Sequence, residues 1–185
     1  MKAVLILSVT GLCLAACNRD PQVSATNASV AEVAEKVRKA GAGESFVRPG
    51  LWESKVTFEQ LDVPGMPPEM AGRMKAMMSE QASKASRQCL TPEDVKRPSA
   101  DMFAKGKGCR YDRFTMGGGK IDAVMHCGTG KTAQLMQMSG TYAPDNYDMR
   151  MSNKMRAAVQ GESGTMSMKM RVEAKRVGDC TGKEG

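Results

Sequence analysis

Two stretches near the C-terminal end of the chain constrain its fold more than any other feature. Residues 147–155 and 166–174 place methionine, tyrosine or valine at almost every second position, with mostly charged or polar residues between them. A period of two is typical of a β-strand with one face buried and one face in solvent. The pattern therefore predicts two strands with a methionine-rich apolar face and a charged face.

The pairing of these strands follows from the position of the turn before residue 147. If Tyr142 faces Tyr147 across that turn, Met138 falls opposite Met151. By the same rule across the next loop, Met151 falls opposite Met170. Every pair keeps its apolar side chains on one face, as a specified register requires. We therefore expect an antiparallel meander.

Earlier stretches extend this pattern. Trp52, Val56 and Phe58 alternate with polar residues after a Pro-Gly turn signal. Residues 109–116 and 120–127 flank a run of three glycines. Glycine runs between strand-like segments are typical of a β-hairpin.

One helix is expected between about residue 69 and Arg87. Met70, Met74 and Met77 recur there at steps of four and three, with Met78 beside them, which is the spacing of one helix face. We expect a mainly β fold with α (α+β), an antiparallel meander sheet of about six strands. Its one apolar, methionine-rich face should be partly covered by this single helix.

The N-terminus has the pattern of a lipoprotein leader. Lys2 precedes an apolar run of about a dozen residues, too short to span a bilayer, and Leu14-Ala15-Ala16-Cys17 closes it. This pattern resembles bacterial lipoprotein signals, in which cleavage before the cysteine leaves acyl chains on it. Cys17 would then be lipidated, and Asn18 after it favours the outer membrane. An ordinary secretory signal with a chance cysteine remains the alternative.

The composition suggests four segments. Asn18–Asn27 is polar and is expected to be a flexible tether, and Ser29–Ala40 is either a modest amphipathic helix or a partly ordered spacer. The expected segments are a signal peptide (1–16), a lipidated tether with a possible helix (17–45), an antiparallel β domain (46–180) and a flexible tail (181–185).

The charge balance bears on partners. The formal net charge of +7 falls to +6 when Lys2 leaves with the leader. On the charged face Arg150 falls opposite Arg171, and like charges in that position cost stability unless an anion, such as a lipid headgroup, compensates them. We expect no nucleic acid partner, because the chain is exported and no aromatics interleave its basic residues. The sequence identifies no protein partner.

Four motifs together resemble a known family. They are Arg-Pro-Gly-Leu-Trp-Glu at 48–53, Cys-Leu-Thr-Pro-Glu-Asp at 89–94, the cysteine-flanked hairpin at 109–127 and Gly-Asp-Cys at 178–180. In that order they resemble proteobacterial envelope proteins of domain-of-unknown-function family 3617. The resemblance covers about Phe46 to Cys180. It implies export and a single domain, and it carries no catalytic residues.

Four cysteines remain after the leader and the lipidated residue are set aside. An even number in an oxidising compartment favours two disulfides over a metal site. Cys109 and Cys127 are equidistant from the centre of the glycine turn, which favours a Cys109–Cys127 bridge and leaves Cys89–Cys180. The rival set, Cys89–Cys109 with Cys127–Cys180, stays open, although a flat meander separates its second pair.

Two local motifs suggest a phosphate-binding loop and a histidine–cysteine site. In both cases the surrounding residues argue against that function. Gly130-Lys131-Thr132 lacks the first glycine of a phosphate-binding loop, because Met125 stands in its place and a strand-like pattern follows. His126 is the single histidine, and its neighbour Cys127 would point to the opposite face of a strand. We expect neither catalysis nor a cofactor, and no metal site from these residues.

The methionines allow three interpretations. Flexible thioethers fill an apolar core, or they bind Cu(I) through thioethers placed side by side on one face in Met136-x-Met138, Met149-x-Met151 and Met166-x-Met168-x-Met170. The third interpretation is an apolar groove that one helix covers incompletely. Its expected lining is Met70, Met74, Met77, Met138, Met151, Met168 and Met170.

These observations favour an outer-membrane lipoprotein on the periplasmic face. Its β domain would be a non-catalytic binding or structural module for lipid or another apolar ligand. The alternatives are a periplasmic Cu(I)-binding protein and an enzyme of a type that no motif identifies.

Overall fold

A computed structural model describes residues 21–82, 84–96, 108–130, 133–159 and 162–182. The expected signal peptide and Cys17 lie outside these residues, as do residues 183–185 of the expected tail and Lys131 and Thr132 of the rejected loop motif. Within the described chain, no helix has the length and apolar character needed to cross a bilayer.

The fold is one open, antiparallel sheet of eight strands with short helices, and it confirms the expected mainly β class. The strands are Val23–Ser29 (β1), Gly50–Asp62 (β2), Ser86–Leu90 (β3), Cys109–Gly117 (β4), Lys120–Cys127 (β5), Gln134–Ala143 (β6), Asn146–Val159 (β7) and Glu162–Gly178 (β8). The helices are Val30–Lys39 (α1), Ala42–Phe46 (α2), Pro68–Ala82 (α3) and Pro92–Lys96 (α4). The spatial order is β1-β4-β5-β6-β7-β8-β2-β3.

The expected registers of the meander are confirmed. Tyr142 pairs with Tyr147 and Met138 with Met151 across the β6–β7 turn. Met151 pairs with Met170 between β7 and β8. The sheet has two strands more than expected, because β1 and β3 add to its two edges.

The segment expected as a tether is partly built into the domain. Val23–Ser29 forms β1 and pairs antiparallel with β4. Its inward side chains, Val23, Ala25 and Ala28, are buried, and because two of them are alanine the strand lacks an obvious apolar alternation. The flexible-tether prediction therefore differs from the structure over residues 23–27.

Helix α1 follows directly, and its start has a local cause. The Ser29 hydroxyl accepts a hydrogen bond from the backbone N–H of Glu32, and the Glu32 carboxylate accepts one from the N–H of Ser29. This reciprocal capping box satisfies two backbone donors that a helix start leaves free. Val33 and Val37 are buried on its inner face. Of the two expectations for this segment, the structure has the helix.

The apolar face of the sheet is closed at one end by two core clusters. The first joins α1 and α2 to β1, β4 and β5, around the fully buried Phe114 and Tyr111. The second contains Val47, Trp52, Val95 and Ala174. Phe46 packs against both, since its ring lies 5.1 Å from that of Tyr142 and 5.9 Å from that of Tyr147.

The helix with the methionine spacing does not bury the methionines that its pattern suggested as its apolar face. Helix α3 packs against β2, where Lys75 donates a hydrogen bond to the carbonyl of Glu59 at 3.1 Å. Ala71 is its buried residue, whereas Met70, Met74 and Met77 are exposed. The apolar face is partly covered as expected, and the helices in its buried clusters are α1, α2 and α4.

Candidate functional site: the methionine surface

A row of apolar side chains crosses four adjacent strands in the middle of the sheet. Met138 on β6 pairs with Met151 on β7, which pairs with Met170 on β8, which pairs with Phe58 on β2. Directly paired residues project to the same side, with Cβ atoms about 5 Å apart. The row is therefore continuous across the strands.

The neighbouring rows widen this surface in both directions. On one side Met168 pairs with Leu61, and on the other Val172 pairs with Val56. We call the following set the methionine surface: Val56, Phe58, Leu61, Met138, Met151, Met168, Met170 and Val172.

The methionine surface differs from the core in its burial. All its side chains are half-buried, whereas Met149 and Ala174, nearer the β6–β7 turn, are buried. Met138 packs against the margin of the first core cluster. Among the described residues, neither cluster includes Met151, Met170 or Phe58. The apolar face is therefore closed at one end and partly open to solvent at the other.

The predicted groove residues fall into two groups. Met138, Met151, Met168 and Met170 share one sheet face and lie together. Met70, Met74 and Met77 are 53%, 41% and 63% exposed on α3, which packs against β2. Helical periodicity identified an apolar stripe correctly and did not reveal which surface the helix would bury.

The opposite face carries the predicted pair of like charges and neutralises it. Arg150 pairs with Arg171 in the register of β7 and β8. The Arg171 guanidinium donates to both carboxylate oxygens of Asp148, at 2.8 and 2.6 Å, and lies 3.1 Å from Glu173. Arg150 lies 3.6 Å from Glu59. The face therefore compensates this pair without an external anion.

Hydrogen bonding to Arg171 also changes the titration of its partner. It lowers the pKa of the Asp148 carboxyl below the ordinary aspartate value, against the opposing effect of burial. The carboxylate is thus held in its charged form, which is the form that binds the guanidinium.

A shallow cavity of about 290 Å³ lies on this charged face, and the sequence patterns did not predict it. Its lining includes the polar Gln137, Ser139 and Ser152 and charged residues of both signs, among them Glu59, Arg113, Arg150 and Lys169. The only sequence signal for it is the polar half of the strand alternation, which is shared by any solvated sheet face. Its residues can offer hydrogen bonds, and nothing in their arrangement selects a ligand.

The cysteines form the two preferred bridges. Cys109 is bonded to Cys127 across the β4–β5 hairpin, and Cys89 is bonded to Cys180. The rival connectivity is therefore wrong. The Cys127 sulfur is consumed in its bridge and cannot serve as a nucleophile for His126.

The single histidine lies in an exposed polar contact. Its Nδ1 is 2.8 Å from a carboxylate oxygen of Asp112. In the part of the chain that the structure describes, no group of three His, Cys, Asp or Glu residues is placed to hold a metal ion. The contact has the geometry of an ordinary surface pair.

Comparison with protein families gives a match. A family model described as "Protein of unknown function (DUF3617)" matches residues 47–180. No curated protein and no solved structure matches the chain. The matched segment begins at Val47, after β1, α1 and α2, and ends at Cys180 of the second bridge. It confirms the resemblance that the four sequence motifs indicated, and the chain belongs to the DUF3617 family.

Proposed function

We propose that the protein is a lipid-anchored module of the outer membrane that binds an apolar ligand on its methionine surface. The acyl chain of a membrane lipid is the ligand class that this surface fits. The observation that carries the proposal is the row Met138–Met151–Met170–Phe58, which is only partly buried and lies at or beyond the edge of the buried clusters.

The chemistry of the surface supports an apolar ligand. Contiguous apolar patches on soluble domains mark interaction sites more often than isolated apolar residues do. Methionine side chains are flexible and polarisable, so they adapt to ligands of varied shape. The surface residues carry no ionisable group that could transfer a proton, which supports binding without catalysis.

The expected anchor would keep this surface close to lipid. If Cys17 is lipidated, five residues separate it from Val23, where β1 begins, so about six residue-to-residue steps span the distance. A fully extended chain of that length reaches about 20 Å. Two or three acyl chains on one cysteine give a durable attachment. The domain would then stay within reach of acyl chains on the periplasmic side of the outer membrane.

The two alternative functions, Cu(I) binding by the sheet methionines and an unrecognised enzyme activity, have less support from the residues of the sheet. Met166, Met168 and Met170 follow one another at every second position of β8, so neighbouring Cα atoms are about 7 Å apart. Their thioethers lie among apolar side chains that suit a hydrocarbon equally well. No described group of residues favours the unrecognised enzyme over a binding module.

Native mass spectrometry of the full chain extracted from membranes tests the proposal. We expect wild-type protein to retain a non-covalent lipid. Met151→Glu should lower the bound fraction by more than about tenfold, because it places a charge in the apolar contact. Gln137→Glu is the matched control, since Gln137 is an exposed residue on the opposite face and the change adds the same charge.

Thermal unfolding shows whether both variants fold before their lipid content is compared. Wild-type protein without lipid would contradict the proposal, as would a folded Met151→Glu variant that keeps its lipid. A face-to-face dimer that hides the methionine surface would also contradict it.

A further inference from the structure

Exposed methionines form a stripe on α3, and none of them is among the sheet residues of the methionine surface. The large apolar side chains exposed in the described chain are Met70, Met74, Met77 and Val177, so three of them belong to this one helix. The half-buried Met78 lies beside the stripe. Helix α3 contains no leucine, isoleucine, valine or phenylalanine. Every large apolar side chain that it presents therefore carries a thioether.

The spacing of these methionines brings their sulfur atoms within reach of one another. Met70 and Met74 are four residues apart, and Met74 and Met77 are three apart. Such pairs occupy neighbouring positions on a helix surface, with Cβ atoms about 5–6 Å apart. A methionine side chain has three rotatable bonds and can turn its sulfur along the helix axis. The central Met74 allows all three sulfurs to converge on one point above the helix.

The other contacts of α3 leave this stripe accessible. Ala71 is buried, and Lys75 is engaged by the carbonyl of Glu59, so the packed side of the helix is the one that carries these two residues. Arg73 is exposed and flanks the stripe. A ligand can therefore reach Met70, Met74 and Met77 without any change in the sheet or the core.

Thioether sulfur is a soft, uncharged ligand that selects Cu(I) over harder ions such as Zn²⁺, Mg²⁺ or Ca²⁺. We infer that Met70, Met74 and Met77 form a surface site for Cu(I). The site takes up the ion already reduced, with no electron transfer by the protein. Its exposure suits an ion that is exchanged with the surroundings rather than held permanently. This inference goes beyond the proposed lipid function and does not depend on it.

Anaerobic titration of the full chain with Cu(I), in competition with a chromogenic Cu(I) chelator, tests the site. The test variant is Met70→Leu/Met74→Leu/Met77→Leu, which keeps apolar bulk and helix propensity and removes three sulfurs. The matched control is Met136→Leu/Met155→Leu/Met166→Leu, which removes three half-buried sulfurs from the sheet. If Cu(I) bound through apolar contact alone, the helix variant and the sheet variant would have the same affinity for Cu(I).

We expect wild-type protein and the sheet variant to bind one equivalent of Cu(I) with equal affinity. The helix variant should bind at least about tenfold more weakly, since even outer-shell changes at metal sites typically cost 10–100-fold. X-ray absorption of the wild-type complex should show sulfur as the coordinating atom. If the triple helix variant does not fold, the exposed single change Met74→Leu gives the same comparison.

The inference is overturned if wild-type protein does not compete for Cu(I), or if the helix variant keeps its affinity. It is also overturned if the sheet variant loses as much affinity as the helix variant. Because the lipid contact is assigned to sheet residues that the helix variant leaves unchanged, this variant should retain its lipid whichever result is obtained, which separates failure of this site from failure of the proposed function.

Discussion

Asp148 pairs with Arg171, one of the two arginines that face each other on the charged side of the sheet. It receives two hydrogen bonds from Arg171, and the two side chains are 34% and 33% exposed. By comparison Asp122 makes one hydrogen bond to Arg113 at 2.8 Å, in a more exposed pair. Bidentate pairs with restricted exposure contribute more than single exposed contacts. Asp148 is therefore the carboxylate on this face with the clearest effect on stability.

We predict that Asp148→Asn lowers the free energy of unfolding by about 1 kcal/mol at pH 7. In a chain of this size such a loss lowers the Tm by about 2–4 °C. Because the folded-state pKa of Asp148 is lowered, its contribution is present above the unfolded-state value of 3.8 and is lost as pH falls through the folded-state pKa.

The measurement is thermal unfolding of wild-type and Asp148→Asn protein at pH 7 and at progressively lower pH. The difference in Tm should shrink below about pH 4. Asp122→Asn serves as the control and should have a smaller effect at pH 7. Equal effects from the two variants, or a difference that grows in acid, would contradict the assignment.

At the scale of elements, the two disulfides close loops of different length. Cys109–Cys127 spans 18 residues within one hairpin. Cys89–Cys180 spans 91 residues and joins the end of β3 to the segment after β8. A bridge that closes a longer loop removes more freedom from the unfolded chain. The longer bridge is therefore expected to stabilise the fold more.

Chain entropy gives a contribution of about 3 kcal/mol for the hairpin bridge and about 4–5 kcal/mol for the longer one. We predict that Cys89→Ala/Cys180→Ala lowers stability more than Cys109→Ala/Cys127→Ala, by about 1 kcal/mol or more. Urea unfolding of the two double variants measures the difference directly. The opposite order would mean that the buried position of Cys109 outweighs the effect of loop length.

Elements whose apolar side chains are large and regular could be predicted from the sequence. The β6–β7–β8 registers are an example, because Tyr142, Tyr147 and Met151 allow only one alignment that keeps one face apolar. Strand β1 could not be predicted from the sequence, because its inward residues include Ala25 and Ala28 and its composition is otherwise mostly polar. A core face made of small side chains can be recognised in a sequence only when the partner strand is known.

The sheet residues of the candidate site could be predicted from the sequence, and the position of helix α3 could not. Strand alternation places Met138, Met151 and Met170 on one face, and the structure has them there. The position of α3 depends instead on long-range packing of Ala71 and Lys75 against β2. Helical spacing specifies which residues share a stripe and carries no information about what that stripe meets.

At the scale of the whole molecule, the folding unit is larger than the family match. The match begins at residue 47, yet Val33 and Val37 of α1 are almost completely buried against the first cluster. Each buried aliphatic side chain of this kind contributes about 1.5–3 kcal/mol. Several such contributions rival the whole stability of a typical domain, about 5–15 kcal/mol. Strand β1 and helices α1 and α2 thus contribute side chains to the core.

We predict that a chain beginning at Val47 fails to fold, whereas one beginning at Gln22 folds. Loss of β1, α1 and α2 would expose Phe114 and Tyr111, which are 0% and 2% exposed in the structure. Near-ultraviolet circular dichroism, soluble yield and cooperative thermal unfolding distinguish the two chains. A cooperative transition in the shorter chain, with a Tm within a few degrees of the longer one, would contradict the prediction.

The pairing of β2 with β8 has a consequence for the order in which the protein can be completed. Strand β2 leaves the ribosome before β4, β5, β6 and β7, and its long partner β8 leaves after them. Until residue 178 has emerged, β2 has only the five-residue β3 beside it, and Cys89 has no Cys180 to join. Contacts between distant parts of a chain form late and slowly. The sheet of the nascent chain must therefore remain unfinished, and open to chaperones or a translocation channel, until β8 and Cys180 have been made.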